Sequence, residues 1–200
     1  MMPNLAEIYD RGFYTEWGKN HAKWVASAEK IAQIIYAEYQ PKRIVDLGCG
    51  SGPYGHFLRG LGVSTVEIDG VLPPKEEAFT QDIEIRDITE PFPNLWGNFD
   101  FALCLEVAEH IPETMCSTFL ANLTQFSDRV LMSAAPPFQG GTHHVNEQPK
   151  RYWIAKMAEH GFAYNRPATG KLIQAFAKDK PGFMWMCSQI SVYERQATTS

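Results

Sequence analysis

The chain has 200 residues, 44% of them hydrophobic, and a formal net charge of −5. That length and apolar content suit one globular domain with a sizeable core, and the acidic balance offers no basic field to hold a polyanion, so nucleic acid is not the expected partner. The four cysteines (Cys49, Cys104, Cys116, Cys187) form no C-x-x-C pair and read as buried thiols in a reducing compartment.

The first 23 residues show neither the basic nor the apolar block of a signal peptide, and no apolar run in the chain reaches membrane-spanning length. A soluble, cytoplasmic protein is expected. Residues 1–23 form an aromatic segment with Tyr9, Phe13, Tyr14 and Trp17, followed by Asn20 and His21. It is either a hydrophobic flap packed on the domain or a lid over a ligand. Residues 24–200 are expected to be a single domain. Trp24 to Tyr39 is an amphipathic helix with Trp24, Ala28, Ile31, Ile35 and Tyr39 on one stripe. Arg43–Leu47 reads as a buried strand, followed by glycines and a helix that starts at Pro53 and is ended by Gly60 and Gly62.

Val63–Ile68 is the second strand and leads through Pro73-Pro74 into a short helix. Asp82–Arg86 is the third strand, with a proline-rich connection from Thr89 to Asn98. Phe99–Leu105 is the fourth, leading to a helix over Glu113–Phe126; Arg129–Ala134 is the fifth and opens a long loop. A helix from Pro149 is capped by Gly161, Phe162–Tyr164 is a short strand, and Thr169–Lys178 is a helix. Phe183–Tyr193 closes the chain as a strand. Seven strands alternating with helices imply an α/β, doubly wound, Rossmann-like and mostly parallel sheet with helices on both faces. Such sheets bind ligands at the C-terminal edge of their strands, where the loops singled out below all fall.

The most informative stretch is Val45-Asp46-Leu47-Gly48-Cys49-Gly50-Ser51-Gly52-Pro53-Tyr54-Gly55. A strand, a glycine loop and a helix in that order bring backbone N–H groups close to a ligand where no side chain would fit. Asp69, after the next strand, can accept both hydroxyls of a ribose. A nucleoside-containing cofactor follows. Gly50 to Gly55 also fits the dinucleotide pattern G-x-G-x-x-G, which keeps a nicotinamide-dependent oxidoreductase as a distant rival. Asp46 opposes it, because a carboxylate there repels a pyrophosphate and suits an α-ammonium group.

The segment resembles motif I of the class I S-adenosylmethionine-dependent methyltransferases, acid-x-Gly-x-Gly-x-Gly, carried here by Asp46, Gly48, Gly50 and Gly52. The resemblance covers nearly the whole chain from Trp24 onward and implies that the last strand pairs antiparallel. It implies S-adenosylmethionine as cofactor, with Asp69 at the ribose, Gly70 letting backbone approach the ribose or adenine, and Asp87 and Ile88 at the adenine; the alternative for Asp87 is a turn-initiating residue. The backbone of Cys104-Leu105 should border the methionine end.

Glu106-Val107-Ala108-Glu109-His110 follows the fourth strand. In a helical turn, Glu106, Glu109 and His110 share one face, and two carboxylates with an imidazole can hold a divalent cation. The turn is similar to the metal-binding turn of small-RNA terminal 2′-O-methyltransferases and of ubiquinone-pathway O-methyltransferases. That resemblance implies His144 as a further ligand of magnesium, manganese or zinc. The alternatives are a metal-free base at His110 or His144 and a turn that serves packing alone. The run Ser133 to Pro149 also resembles a branch of small bacterial and phage methyltransferases. In it Asn146, Glu147 and Gln148 could bind an acceptor, or Asn146 could cap the helix begun at Pro149.

The expected activity is methyl transfer to a small-molecule or sugar-like acceptor at oxygen. The rivals are a non-catalytic S-adenosylmethionine-binding protein and a metal-dependent RNA terminal methyltransferase.

Overall fold

Alternating burial along the first strand decides how the chain is layered. In β1 (Arg43–Leu47), Ile44 packs toward one face of a sheet, while Val45 and Leu47 pack toward the other. The same division runs through β4 (Phe101–Leu105), where Phe101, Leu103 and Leu105 oppose Ala102 and Cys104. A strand apolar on both faces needs cover on both, which is the signature of a parallel sheet between helical layers. The structure, a computed structural model, describes residues 5–197. Residues 1–4 of the aromatic segment and 198–200 of the main domain lie outside the described residues.

The other strands are β2 (Ser64–Asp69), β3 (Glu84–Ile85), β5 (Arg129–Ser133), β6 (Phe162–Tyr164) and β7 (Ser191–Arg195). They join β1 and β4 in one seven-stranded sheet of order β3-β2-β1-β4-β5-β7-β6. Strands β1 to β5 pair in parallel, and β7 runs antiparallel to both β5 and β6. The Rossmann-like sheet and its antiparallel last strand are as expected.

The helices are α1 (Leu5–Ile8), α2 (Arg11–Trp17), α3 (Ala22–Tyr39), α4 (Pro53–Gly60), α5 (Cys116–Thr124), α6 (Lys150–Glu159), α7 (Arg166–Asp179) and α8 (Met184–Gln189). Buried residues of α3, α4 and α7 form one core with Ile44, Phe101, Leu103, Leu131 and Val192. Those of α5 and α6 form the other, with Val45, Leu47, Ala102, Cys104 and Met132. No helix among the described residues is long and apolar enough to cross a membrane. All four cysteines are buried and free.

Several expected elements differ. The helix after Pro73-Pro74 reduces to a single turn in which the N–H groups of Glu77 and Ala78 both reach Pro74 O. Prolines donate nothing with which to propagate it. The strand expected over Asp82–Arg86 shrinks to Glu84–Ile85, because only these residues pair with the end of β2. The expected helix over Glu113–Phe126 begins as a 3-10 turn, Glu113–Met115, before α5. The final expected strand, Phe183–Tyr193, is instead α8 followed by β7. In α8, Met186 and Cys187 point into the core beside α3 and α7, a tertiary contact that outweighs the apolar run's strand-like composition.

Candidate active site

The loops after β1, β2, β3 and β4 and the long loop after β5 surround one large cavity at the C-terminal edge of the parallel strands, about 760 Å³ in volume. That is ample for a nucleoside cofactor together with a small acceptor.

At one end, the glycine loop leaves β1. Gly48 has φ +80°, and a β-carbon there would lie 2.5 Å from Val107 Cγ2. The turn therefore requires glycine for its conformation and for its close approach to the loop after β4. Asp69, at the end of β2, joins this loop to the next. Its Oδ2 accepts from Gly50 N–H at 2.8 Å and its Oδ1 from Val71 N–H at 3.0 Å. Burial pushes Asp69 up to about 6, against the pull of the Gly50, Val71 and Gly70 N–H groups. Each oxygen keeps a second lone pair for a ligand hydroxyl. Asp87 lies beside it, with Oδ1 accepting from Thr89 N–H at 2.9 Å and Thr89 Oγ at 2.6 Å in an Asx turn. Ile88 packs on the core next to it, and both residues line the cavity.

Of the residues assigned to the cofactor from sequence, Gly48, Gly50, Asp69, Gly70, Asp87, Ile88 and Leu105 line the cavity, and Asp46 and Gly52 do not. Asp46 lies beneath the loop, 1% exposed, and its Oδ2 has no hydrogen-bond partner. Burial first, then the charges of Glu67 and Asp69, push it well above the usual carboxylate range. Burial thus disfavours the charged form that an α-ammonium would pair with, and Asp46 stands off the cavity lining. Gly52 instead forms the left-handed N-cap of α4.

At the other end lies the turn after β4. Glu106 sits in the left-handed region (φ 58°), and Ala108–His110 forms a 3-10 turn. Glu109, His110 and His144 each bring one donor atom within 4.8 Å of the others; Glu106 lies outside this trio. Its Oε2 accepts from Gln139 Nε2 at 3.4 Å. The regular helical turn that would align Glu106 with Glu109 does not form. Glu109 is fully buried, and neither of its carboxylate oxygens has a hydrogen-bond partner. Burial and then the neighbouring Glu106 charge push it upward; the N–H groups of Glu109 itself and Ala135 offset this without meeting hydrogen-bond geometry. His110 is pushed down to about 4, by burial and then by His144. Its Nδ1 donates to His143 O at 3.2 Å, because a carbonyl can only accept. The lone pair is thereby left on Nε2. The rings of His110 and His144 meet edge to face at 4.9 Å.

The aromatic segment forms a wall. Tyr9, Phe13, Tyr14 and Trp17 line the cavity, and the ring of Tyr9 lies 5.8 Å from that of His110. Leu5 approaches Gly70 closely enough that a β-carbon on the glycine would lie 3.2 Å from Leu5 Cδ1. The segment is tied down by Ser51 Oγ donating to Trp17 O at 2.6 Å and by Lys19 N–H donating to Glu77 O at 2.9 Å. Trp24, read from sequence only as core, and Met186, read as strand, also reach the cavity. No periodicity signals such a residue, since only the packing of α3 and α8 brings it there. Five carboxylate residues line the cavity (Glu16, Asp69, Asp87, Glu106, Glu109), and no lysine or arginine does among the described residues.

The residues that could bind an acceptor are engaged within the protein. Asn146 Nδ2 donates to Ile111 O at 3.0 Å and to Cys116 Sγ at 3.2 Å, and Asn146 Oδ1 accepts from Gln148 Nε2 at 3.0 Å. It does not cap α6, whose N-cap is Pro149 with no side-chain bond.

No family model matches the chain. In sequence it is similar to the ubiquinone biosynthesis O-methyltransferase of Dechloromonas aromatica, 29% identical over 126 residues that span 57% of this chain and 49% of that protein. The chain spans about half the length of the curated relatives it matches. In fold it is similar to Burkholderia thailandensis 1,6-didemethyltoxoflavin-N1-methyltransferase with bound 1,6-didemethyltoxoflavin and S-adenosylhomocysteine. That likeness has a TM-score of 0.59 at 17% identity and covers 96% of this chain and 89% of the other. Magnesium protoporphyrin IX methyltransferase from Synechocystis PCC 6803, with bound S-adenosylhomocysteine, gives 0.57 at 17% identity over 81% and 90%. The resemblance read from the motifs agrees with both comparisons, and the fold is that of class I methyltransferases.

Proposed function

We propose that this chain, which carries the class I methyltransferase fold, transfers a methyl group from S-adenosylmethionine to the hydroxyl of a small molecule. The observation that carries this reading is one continuous cavity with ribose-type and adenine-type acceptors at one end and the Glu109–His110–His144 trio at the other. The names of the similar proteins support methyl transfer, S-adenosylhomocysteine binding and small-molecule acceptors for those proteins.

S-adenosylmethionine supplies a methyl on a cationic sulfur, and attack by an acceptor oxygen breaks the carbon–sulfur bond and leaves neutral S-adenosylhomocysteine. Asp69 accepts from the ribose hydroxyls with the lone pairs that Gly50 and Val71 do not use. Asp87 meets the adenine amine through the oxygen free of its Asx turn, and Ile88 packs on the ring. The acidic lining favours a cationic cofactor over a phosphorylated one and an uncharged acceptor over a polyanion. It weighs against an RNA substrate. Without a cation, the proton acceptor for the hydroxyl is Nε2 of His110 or His144. Tyr9, Phe13 and the wall of α2 exclude water and orient the acceptor beside them.

The trio also fits a divalent cation. Glu109 offers two unpartnered buried oxygens, and the His110 ring offers Nε2 while Nδ1–H is held by a backbone carbonyl, the usual arrangement of a ligating histidine. Glu109, His110 and His144 would hold magnesium, manganese or zinc, and the ion would lower the pKa of a bound hydroxyl. Titration calorimetry with S-adenosylhomocysteine tests the reading at its root. Saturable 1:1 binding that Asp69→Ala removes is expected; no heat at millimolar ligand would refute it.

A further inference from the structure

Glu147, one of the residues that could bind an acceptor, is bonded to its own loop. Its Oε1 accepts from His144 Nδ1 at 2.9 Å and from Gly140 N–H at 2.6 Å, and its Oε2 accepts from Phe138 N–H at 2.8 Å. An ionised carboxylate can only accept, so His144 carries a proton on Nδ1, and in the neutral ring the lone pair falls on Nε2. This is the less common form of a neutral imidazole in water, so it requires a partner that selects it. Both side chains are largely covered, at 11% and 18% exposed.

The backbone ties answer a second question. Phe138 and His143 lie in the left-handed region, with φ 73° and 56°, and Gly140 has φ 71°. Such dihedrals in non-glycine residues persist only where surrounding contacts over-determine them. Packing does not hold Phe138, whose side chain is 100% exposed; the N–H bond to Glu147 does. Gly141 belongs to the same device, because a β-carbon there would collide with His144 Nε2. The loop so coiled also delivers His143 O to His110 Nδ1, so one stretch of chain sets the tautomer of both histidines.

We infer that Glu147 is the positioning residue of the site: it fixes His144 as the Nδ1–H tautomer and clamps residues 138–144 so that Nε2 of both histidines is the atom available to a proton or a cation. The inference rests on the proposed role of His144, but the tautomer can be read whether or not the chain transfers methyl groups. Long-range proton–nitrogen spectra of the histidine-labelled protein, taken at about pH 8 where imidazoles are neutral, assign each ring. In the wild type, both His110 and His144 should be Nδ1–H.

Glu147→Ala should return His144 to a predominantly Nε2–H form and raise amide exchange at Phe138 and Gly140 about tenfold or more. Glu147→Gln, which keeps one accepting oxygen, should restore the Nδ1–H form in part. A wild-type His144 found as Nε2–H, or a Glu147→Ala protein in which it stays Nδ1–H, overturns the inference. The wild-type spectrum decides even if the alanine variant folds poorly. Loss of S-adenosylhomocysteine binding, by contrast, would count against the methyltransferase reading and not against the clamp.

Discussion

Asp69→Asn separates two jobs of one carboxylate and gives them opposite signs. In the free protein, burial raises Asp69 from 3.8 to about 6. At 1.36 kcal/mol per pKa unit, the ionised form therefore costs the fold about 3 kcal/mol, to order of magnitude. The folded pKa lies above the unfolded one, so the cost is absent below about pH 4, grows through the window up to about 6 and is fully present above it. Asparagine removes that cost. It also turns an amide NH2 toward either Gly50 N–H or Val71 N–H, now 2.8 and 3.0 Å from oxygen, and an unpaired buried donor costs about 1–3 kcal/mol. The two terms nearly cancel at neutral pH, so urea denaturation should show stability within about 1–2 kcal/mol of wild type.

Ligand binding should show no such cancellation. Hydrogen bonds from hydroxyls to a charged acceptor contribute about 1.5–3 kcal/mol, so S-adenosylhomocysteine affinity should fall roughly 10- to 100-fold in the variant. In the wild type, bound hydroxyls favour the ionised carboxylate and pull its pKa down, so affinity should weaken about tenfold per pH unit as pH falls below about 6 and level off above about 7. Asp69→Asn should flatten that slope. Titration calorimetry across pH 5 to 8 reads both effects. An equal wild-type dissociation constant at the two ends of that range, or an undiminished slope in the variant, would refute the reasoning.

Three further outcomes are expected. Gly48→Ala forces a side chain into a left-handed turn and against Val107, so it should destabilise the fold by about 2–4 kcal/mol and remove S-adenosylhomocysteine binding; a variant with wild-type urea midpoint and affinity contradicts the account of the loop. His144→Ala should leave cofactor affinity within about threefold of wild type and lower turnover on a responsive acceptor by about 10²–10⁴-fold, and unchanged turnover would take that residue out of the chemistry. A chelator should abolish transfer, with magnesium, manganese or zinc restoring it. Transfer that survives exhaustive chelation would leave the histidines as metal-free bases.

Much of the fold is legible because its signals are local. The glycine loop, Pro53 at the helix start and the two-residue alternation of β1 are each decided within about ten residues, and all appear where expected. The wall of the cavity is less legible. Tyr9, Phe13 and Trp17 carry an aromatic composition that fits a flap and a lid equally, and only their place beside His110 and the glycine loop gives them a cavity to line. The composition of Phe183–Gln189 reads as strand, yet helix α8 forms because Met186 and Cys187 find a core beside α3. The Glu106-to-His110 stretch has helical spacing, and the left-handed Glu106 breaks the face that this spacing would create.

The sequence by itself determined the layered α/β sheet, the loop that approaches a nucleoside and the residue types available for acid–base or metal chemistry, since periodicity, glycine and proline act through neighbours in the chain. The tertiary structure alone decided that Asp46 lies buried beneath the loop, that Glu109 joins two histidines without Glu106, and that Glu147 bonds to His144 and to the N–H groups of Phe138 and Gly140. The reason is physical: the charge, tautomer and hydrogen-bond partner of a side chain depend on what surrounds it, and those surroundings come from segments far apart along the chain.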